Sequence, residues 1–78
     1  MPFSDPSHII TQLDLQSGST VADLGAGAGA LSVLAAQAVG EAGKVYAVEV
    51  QKEMLQKLKN HARAERTHNV EVLWGDIE

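Results

Sequence analysis

Apolar and polar positions along the chain fall into two alternating periods. Ile9, Ile10 and Leu13 form a stripe at helical spacing, preceded by Asp5 and Pro6, which suit an N-cap and a first helical position. Gln16-Ser17-Gly18-Ser19 ends that element. Val21–Leu24 is a short apolar run with the length of a strand. A helix is expected from about Ala28 to Val39, with Leu31, Leu34, Ala35 and Ala38 inward and Gly40 as its C-terminal cap. Val45–Val50 alternates as a second strand. Lys52–Glu65 is a second long helix, with Met54, Leu55, Leu58 and Ala62 inward. Val70–Trp74 is a third strand, followed by Gly75-Asp76.

Strands separated by helices at this spacing imply parallel pairing through right-handed crossovers, in the strand order 3-2-1. Both crossovers step the same way, so the two long helices are expected on one sheet face. On the second strand Val45, Ala47 and Glu49 point one way, and Tyr46, Val48 and Val50 the other. Strands apolar on both faces are normally covered twice. Here the second face has no helix unless the N-terminal one folds across it, and the first strand is left as an apolar edge. Self-association, most simply a twofold homodimer, is therefore expected to cover the face or join the edge.

Composition narrows the class. The 78 residues suit one small domain spanning 1–78, with a core of marginal size. An apolar fraction of 45% with 4% aromatics is globular rather than disordered. With no cysteine, disulfides and thiolate zinc sites are excluded. No apolar run approaches the ~20 residues of a membrane span, and a cytoplasmic location is expected. The net charge of −4 argues against a dedicated nucleic-acid binder. Five of the six Lys and Arg lie between Lys52 and Arg66, which reads as a solvated helix face before it reads as a phosphate contact.

Candidate chemistry sits in Val21–Ser32, VADLGAGAGALS. Gly25, Gly27 and Gly29 follow the first strand at spacings of two. Such a turn admits positive φ and brings backbone close to a nucleotide-like ligand. Gly25, Gly27 and Ala30 formally satisfy the dinucleotide pattern G-x-G-x-x-G/A. Asp23, two residues before the first glycine, argues against it. A carboxylate there repels a pyrophosphate and favours a ligand that carries an ammonium group. Hydrogen bonding of Asp23 to the turn's own amides is a second role, compatible with the first. His8, His61 and His68 have no metal-ligand spacing and read as surface or loop residues. Trp74 reads as a core or interface residue before a stacking one.

The segment Asp23-Leu24-Gly25-Ala26-Gly27-Ala28-Gly29 resembles the first motif of the class I S-adenosylmethionine-dependent methyltransferases, written (D/E)-x-G-x-G-x-G. KVYAVEVQKEML and LWGDIE resemble the family's following segments, so the likeness spans nearly the whole chain. The resemblance implies a Rossmann-like half-fold that binds S-adenosylmethionine. It implies Asp23, Gly25, Ala26, Gly27 and Gly29 around the donor, Glu49 on the ribose hydroxyls and Asp76 near the adenine amino group. Val50 and Ile77 would flank the adenine, and Phe3 and its neighbours could fold over the ligand. A complete member continues through further strands that usually position the methyl acceptor, whereas this sequence stops at Glu78. The expectation is a cofactor-binding half, catalytic as an oligomer. A non-catalytic binder of S-adenosylmethionine or its demethylated product is the alternative, and a nicotinamide-nucleotide binder stands behind both.

Overall fold

The computed structural model describes residues 6–75, with side chains from Ile9 onward. Asp5, Phe3, Asp76 and Ile77 lie outside the described residues. The elements run α1 (Pro6–Leu13), β1 (Thr20–Leu24), α2 (Ala30–Val39), β2 (Lys44–Glu49), α3 (Lys52–Ala64) and β3 (Val70–Trp74). The three strands form one parallel sheet in the order β1-β2-β3, the expected arrangement. Val21 pairs with Val45, and Val45 with Val70, so the strands align apolar residues on the same face.

That face carries the core. Val45 and Ala47 are fully buried, and Glu49 nearly so. Against them pack Ala35, Ala36 and Val39 of α2, while Leu58 of α3 is also fully buried. Ile10 of α1 and Leu15, just after it, extend the same cluster, and α1 lies against α2. The N-terminal helix therefore leaves the second sheet face open. Leu24 is 65% exposed and Leu73 38% exposed there, and Tyr46 and Val48 are half-covered. Leu13, expected in the α1 stripe, is itself 54% exposed.

The inward face of α2 differs from the expected one. Ser32, Val33, Ala35, Ala36 and Val39 are buried, whereas Ala38 is exposed and Leu31 and Leu34 are half-buried. The helix is apolar nearly all round, so its hydrophobic period does not fix its rotation. Packing against β2 and α1 fixes it instead. Helix ends follow backbone chemistry. Asp14, with φ 52, follows α1 in the left-handed region that Asp tolerates. Gly40, with φ 72, caps α2 and returns its N–H to the Ala36 carbonyl.

Candidate functional site

The glycine turn lies at the C-terminal ends of the parallel strands, where open α/β sheets bind ligands. Gly25, Gly27 and Gly29 all have positive φ, at 74°, 60° and 96°. The amides of Gly25 and Ala26 both donate to the Val48 carbonyl, at 2.8 and 3.0 Å, and this ties the turn to β2. The Gly29 amide closes the turn on the Ala26 carbonyl at 3.1 Å.

The glycines are not equivalent. A Cβ at Gly25 or Gly27 would meet no atom within 4 Å, so the backbone there borders open space. A Cβ at Gly29 would overlap Leu58 Cδ1, because α2 begins directly against α3. Two glycines thus leave room outside the fold, and the third permits close packing inside it.

Glu49 joins this turn to the next. Its Oε1 accepts from the Gly27 amide at 2.5 Å and its Oε2 from the Gln51 amide at 2.9 Å. These two amides, Gln51 first and then Gly27, hold the Glu49 carboxyl below the usual glutamate range, against the opposing effect of desolvation. An ionised carboxylate has about four acceptor positions, so beyond these amides and the nearby Val50 amide it keeps capacity for a further donor.

Asp23 is half-buried on β1, where its Oδ2 accepts from Ser32 Oγ at 2.7 Å. The amide-bonding role that the sequence allowed to Asp23 belongs, at Gly27, to Glu49. Ser32 is fully buried in the first turn of α2 and was not singled out from the sequence. Its signal was present: a lone hydroxyl among Leu31, Val33, Leu34 and Ala35 needs a partner if it turns inward.

His61, expected at the surface, reaches the glycine turn from there. It is half-buried on α3, and its Nδ1 lies 3.2 Å from the Ala28 carbonyl in the glycine turn. Val50 is 41% exposed beside Glu49, with its carbonyl bonded to the Trp74 indole. A cavity of about 430 Å³ opens at the opposite end of the strands, among Gln37, Glu41, Glu65, Arg66, His68 and Asn69. It shares no residue with the glycine turn, and the carboxylates and open backbone lie at the other end.

A strand, a glycine turn opening to solvent, a helix and an acid at the end of the next strand form the first β-α-β unit of a Rossmann-like fold. Known proteins narrow the class. A family model described as a methyltransferase domain matches residues 15–78. The arsenite methyltransferase of Halobacterium salinarum is 43% identical over 60 residues, covering 77% of this chain and 15% of that protein. The crystal structure of a SAM-dependent methyltransferase from Aquifex aeolicus superposes with a TM-score of 0.83 and 39% identity, covering 92% of this chain and 38% of that one. A coclaurine N-methyltransferase bound to N-methylheliamine and SAH superposes with a TM-score of 0.80 and 30% identity, covering 92% and 21%. The chain belongs to the methyltransferase-domain family, within the class I S-adenosylmethionine-dependent methyltransferases. It spans well under half the length of these relatives. Among the described residues no helix is long and apolar enough to cross a membrane.

Proposed function

We propose that this chain is the cofactor-binding half of a methyltransferase and that its glycine turn binds S-adenosylmethionine. The observation that carries the reading is the Glu49 carboxylate, fixed by the Gly27 and Gln51 amides beside the open backbone of Gly25 and Gly27. The residues suit the group. Glu49 keeps acceptor capacity for a ribose hydroxyl. Asp23, oriented by Ser32, offers negative charge to the amino-acid ammonium. Ala26 and Gly29 hold the turn in shape through their backbone bonds. Val50 offers an apolar wall to the adenine, and Asp76 and Ile77 complete that subsite in the proposal.

The sulfonium of the bound cofactor supplies an already activated methyl group. The protein's part is therefore alignment of donor and acceptor and exclusion of water, without a nucleophile of its own. An anionic pyrophosphate suits this site poorly, because Asp23 and Glu49 both face the turn region and neither is neutralised by a Lys or Arg in the salt bridges among the described residues.

The open sheet face and the unpaired edge of β1 belong to the same proposal. Parallel strands are stable when both faces are covered. We infer that a second copy covers this face and that methyl transfer requires the assembly. Light scattering with and without S-adenosylmethionine tests it, and a well-folded 8.3 kDa monomer that transfers methyl groups overturns it.

Calorimetry tests the cofactor. S-adenosylmethionine and S-adenosylhomocysteine should bind and NAD should not, and Asp23→Ala and Glu49→Ala should each weaken binding. Unchanged affinity in both variants overturns the site. Release of methyl groups to a panel of acceptors separates an enzyme from a non-catalytic binder.

A further inference from the structure

Trp74 is the only tryptophan of the chain, and it is neither core nor idle surface. It ends β3 opposite Glu49 of β2 and is 57% exposed. Its indole Nε1 donates to the Val50 carbonyl at 3.0 Å, and Lys52 Nζ stands 4.5 Å over the ring. The next residue repeats the tie, since the Gly75 amide donates to the Glu49 carbonyl at 3.2 Å. Every residue from Glu49 to Lys52 is therefore held: Glu49 by Gly27 and Gly75, Val50 by Trp74, Gln51 by the Glu49 carboxylate, and Lys52 by the indole face.

We infer that Trp74 is a positioning residue for adenosine binding, acting through the Val50 carbonyl to fix the turn that presents Glu49 and Val50. The inference rests on the cofactor reading above. The indole places its polar edge on the Val50 carbonyl and one ring face under Lys52, so its contacts are with the turn after β2. An indole N–H held by a backbone carbonyl has one fixed orientation, and a cation over one ring face restricts it further. The Val50–Gln51 peptide cannot rotate without breaking the indole bond, and its rotation would take the Gln51 amide from the Glu49 carboxylate. Trp74 thus keeps Glu49 ready to accept from a diol, at no cost in ordering when the ligand arrives. The ring also lies next to the wall offered by Val50, so a purine resting on Val50 changes the environment of this one fluorophore.

The test uses the intact protein and S-adenosylhomocysteine. Binding seen by calorimetry should be matched by a saturable change in tryptophan emission with the same midpoint. Trp74→Phe keeps a ring and removes the N–H, and it should weaken binding by about three- to tenfold, the loss of one modest hydrogen bond. Trp74→Phe and Glu49→Gln should be non-additive, because the indole acts through Glu49. A merely structural Trp74 gives additive losses, or an affinity that follows thermal stability alone, and either result overturns the inference. So does calorimetric binding with no change in emission, a result that stands even where Trp74→Phe does not fold. A folded wild-type protein with no calorimetric binding overturns the cofactor reading itself, and this inference with it.

Discussion

The Gly27 amide donates to Glu49 Oε1 at 2.5 Å, joining residues 22 apart in sequence across the mouth of the sheet. With the Gln51 amide on Oε2, this bond favours the ionised carboxylate, and the two amides hold the Glu49 carboxyl below its ordinary value of 4.5. The folded state therefore binds this proton less readily than the unfolded chain. The stabilisation is fully present above the unfolded glutamate value and is lost as pH falls through the lowered folded-state value. Urea midpoints of the wild type and Glu49→Gln should differ at pH 7, and the difference should narrow as pH falls through the lowered folded-state value of Glu49. A difference that does not narrow on acidification contradicts the carboxylate's role.

Gly27 and Gly29 should separate binding from stability. Gly27→Ala places a methyl group in open space at φ 60, so its cost to folding is backbone strain alone, about 1–2 kcal/mol. That methyl group occupies the volume offered to the ligand, and affinity should fall at least about tenfold. Gly29→Ala meets the buried Leu58 as well as the strain of φ 96, and should cost about 2–4 kcal/mol. Denaturation and calorimetry on both variants check the reversal. Equal losses of stability would remove the distinction between an outward and an inward glycine.

Ser32→Ala removes the buried hydroxyl that orients Asp23. Asp23 is half-exposed, so water replaces part of the lost bond, and the expected cost is about 1–2 kcal/mol in chemical denaturation. Affinity for S-adenosylmethionine should fall less than in Asp23→Ala, because the charge remains and only its direction is lost. A Ser32→Ala variant of unchanged stability would show that the Asp23 carboxylate needs no orienting partner.

Most of the fold was readable because short-range signals agreed. Val70–Trp74 matches its expected bounds, and Gly40 caps α2 as its position after Val39 implied. The strand order followed from alternation and crossover handedness alone. What failed was rotation and direction. Ala38 was expected inward and is exposed, because an Ala- and Leu-rich helix has no clear polar face to orient it. The residue types of the site were legible, but their partners were not. Whether Asp23 or Glu49 takes the turn amide depends on which carboxylate the β1–β2 register brings near Gly27, and spacing along the chain does not carry that information. The link from Trp74 to Val50 joins two elements across the sheet end and leaves no local pattern in the sequence.

Asn69 offers the control that keeps these effects apart. Its side-chain amide donates to the Ala36 carbonyl at 3.0 Å and to the Gly40 carbonyl at 2.9 Å, a second donor to two carbonyls that also accept from the Gly40 and Gly43 amides. The residue lies just before β3, at the far end of the sheet from the glycine turn. Asn69→Ala removes this second donor and leaves each carbonyl its backbone partner, so it should cost about 0.5–1.5 kcal/mol, with affinity for S-adenosylhomocysteine unchanged in the folded protein. Asn69→Asp should be worse at neutral pH, since a carboxylate oxygen then faces two carbonyl oxygens and adds negative charge at the negative end of the helix dipole. Thermal denaturation ranks the two variants, and calorimetry below the transition checks the affinity. A loss of binding in Asn69→Ala would mean that the two ends of the sheet are coupled, and the stability effects at Gly29 and Ser32 could then no longer be read separately from the site.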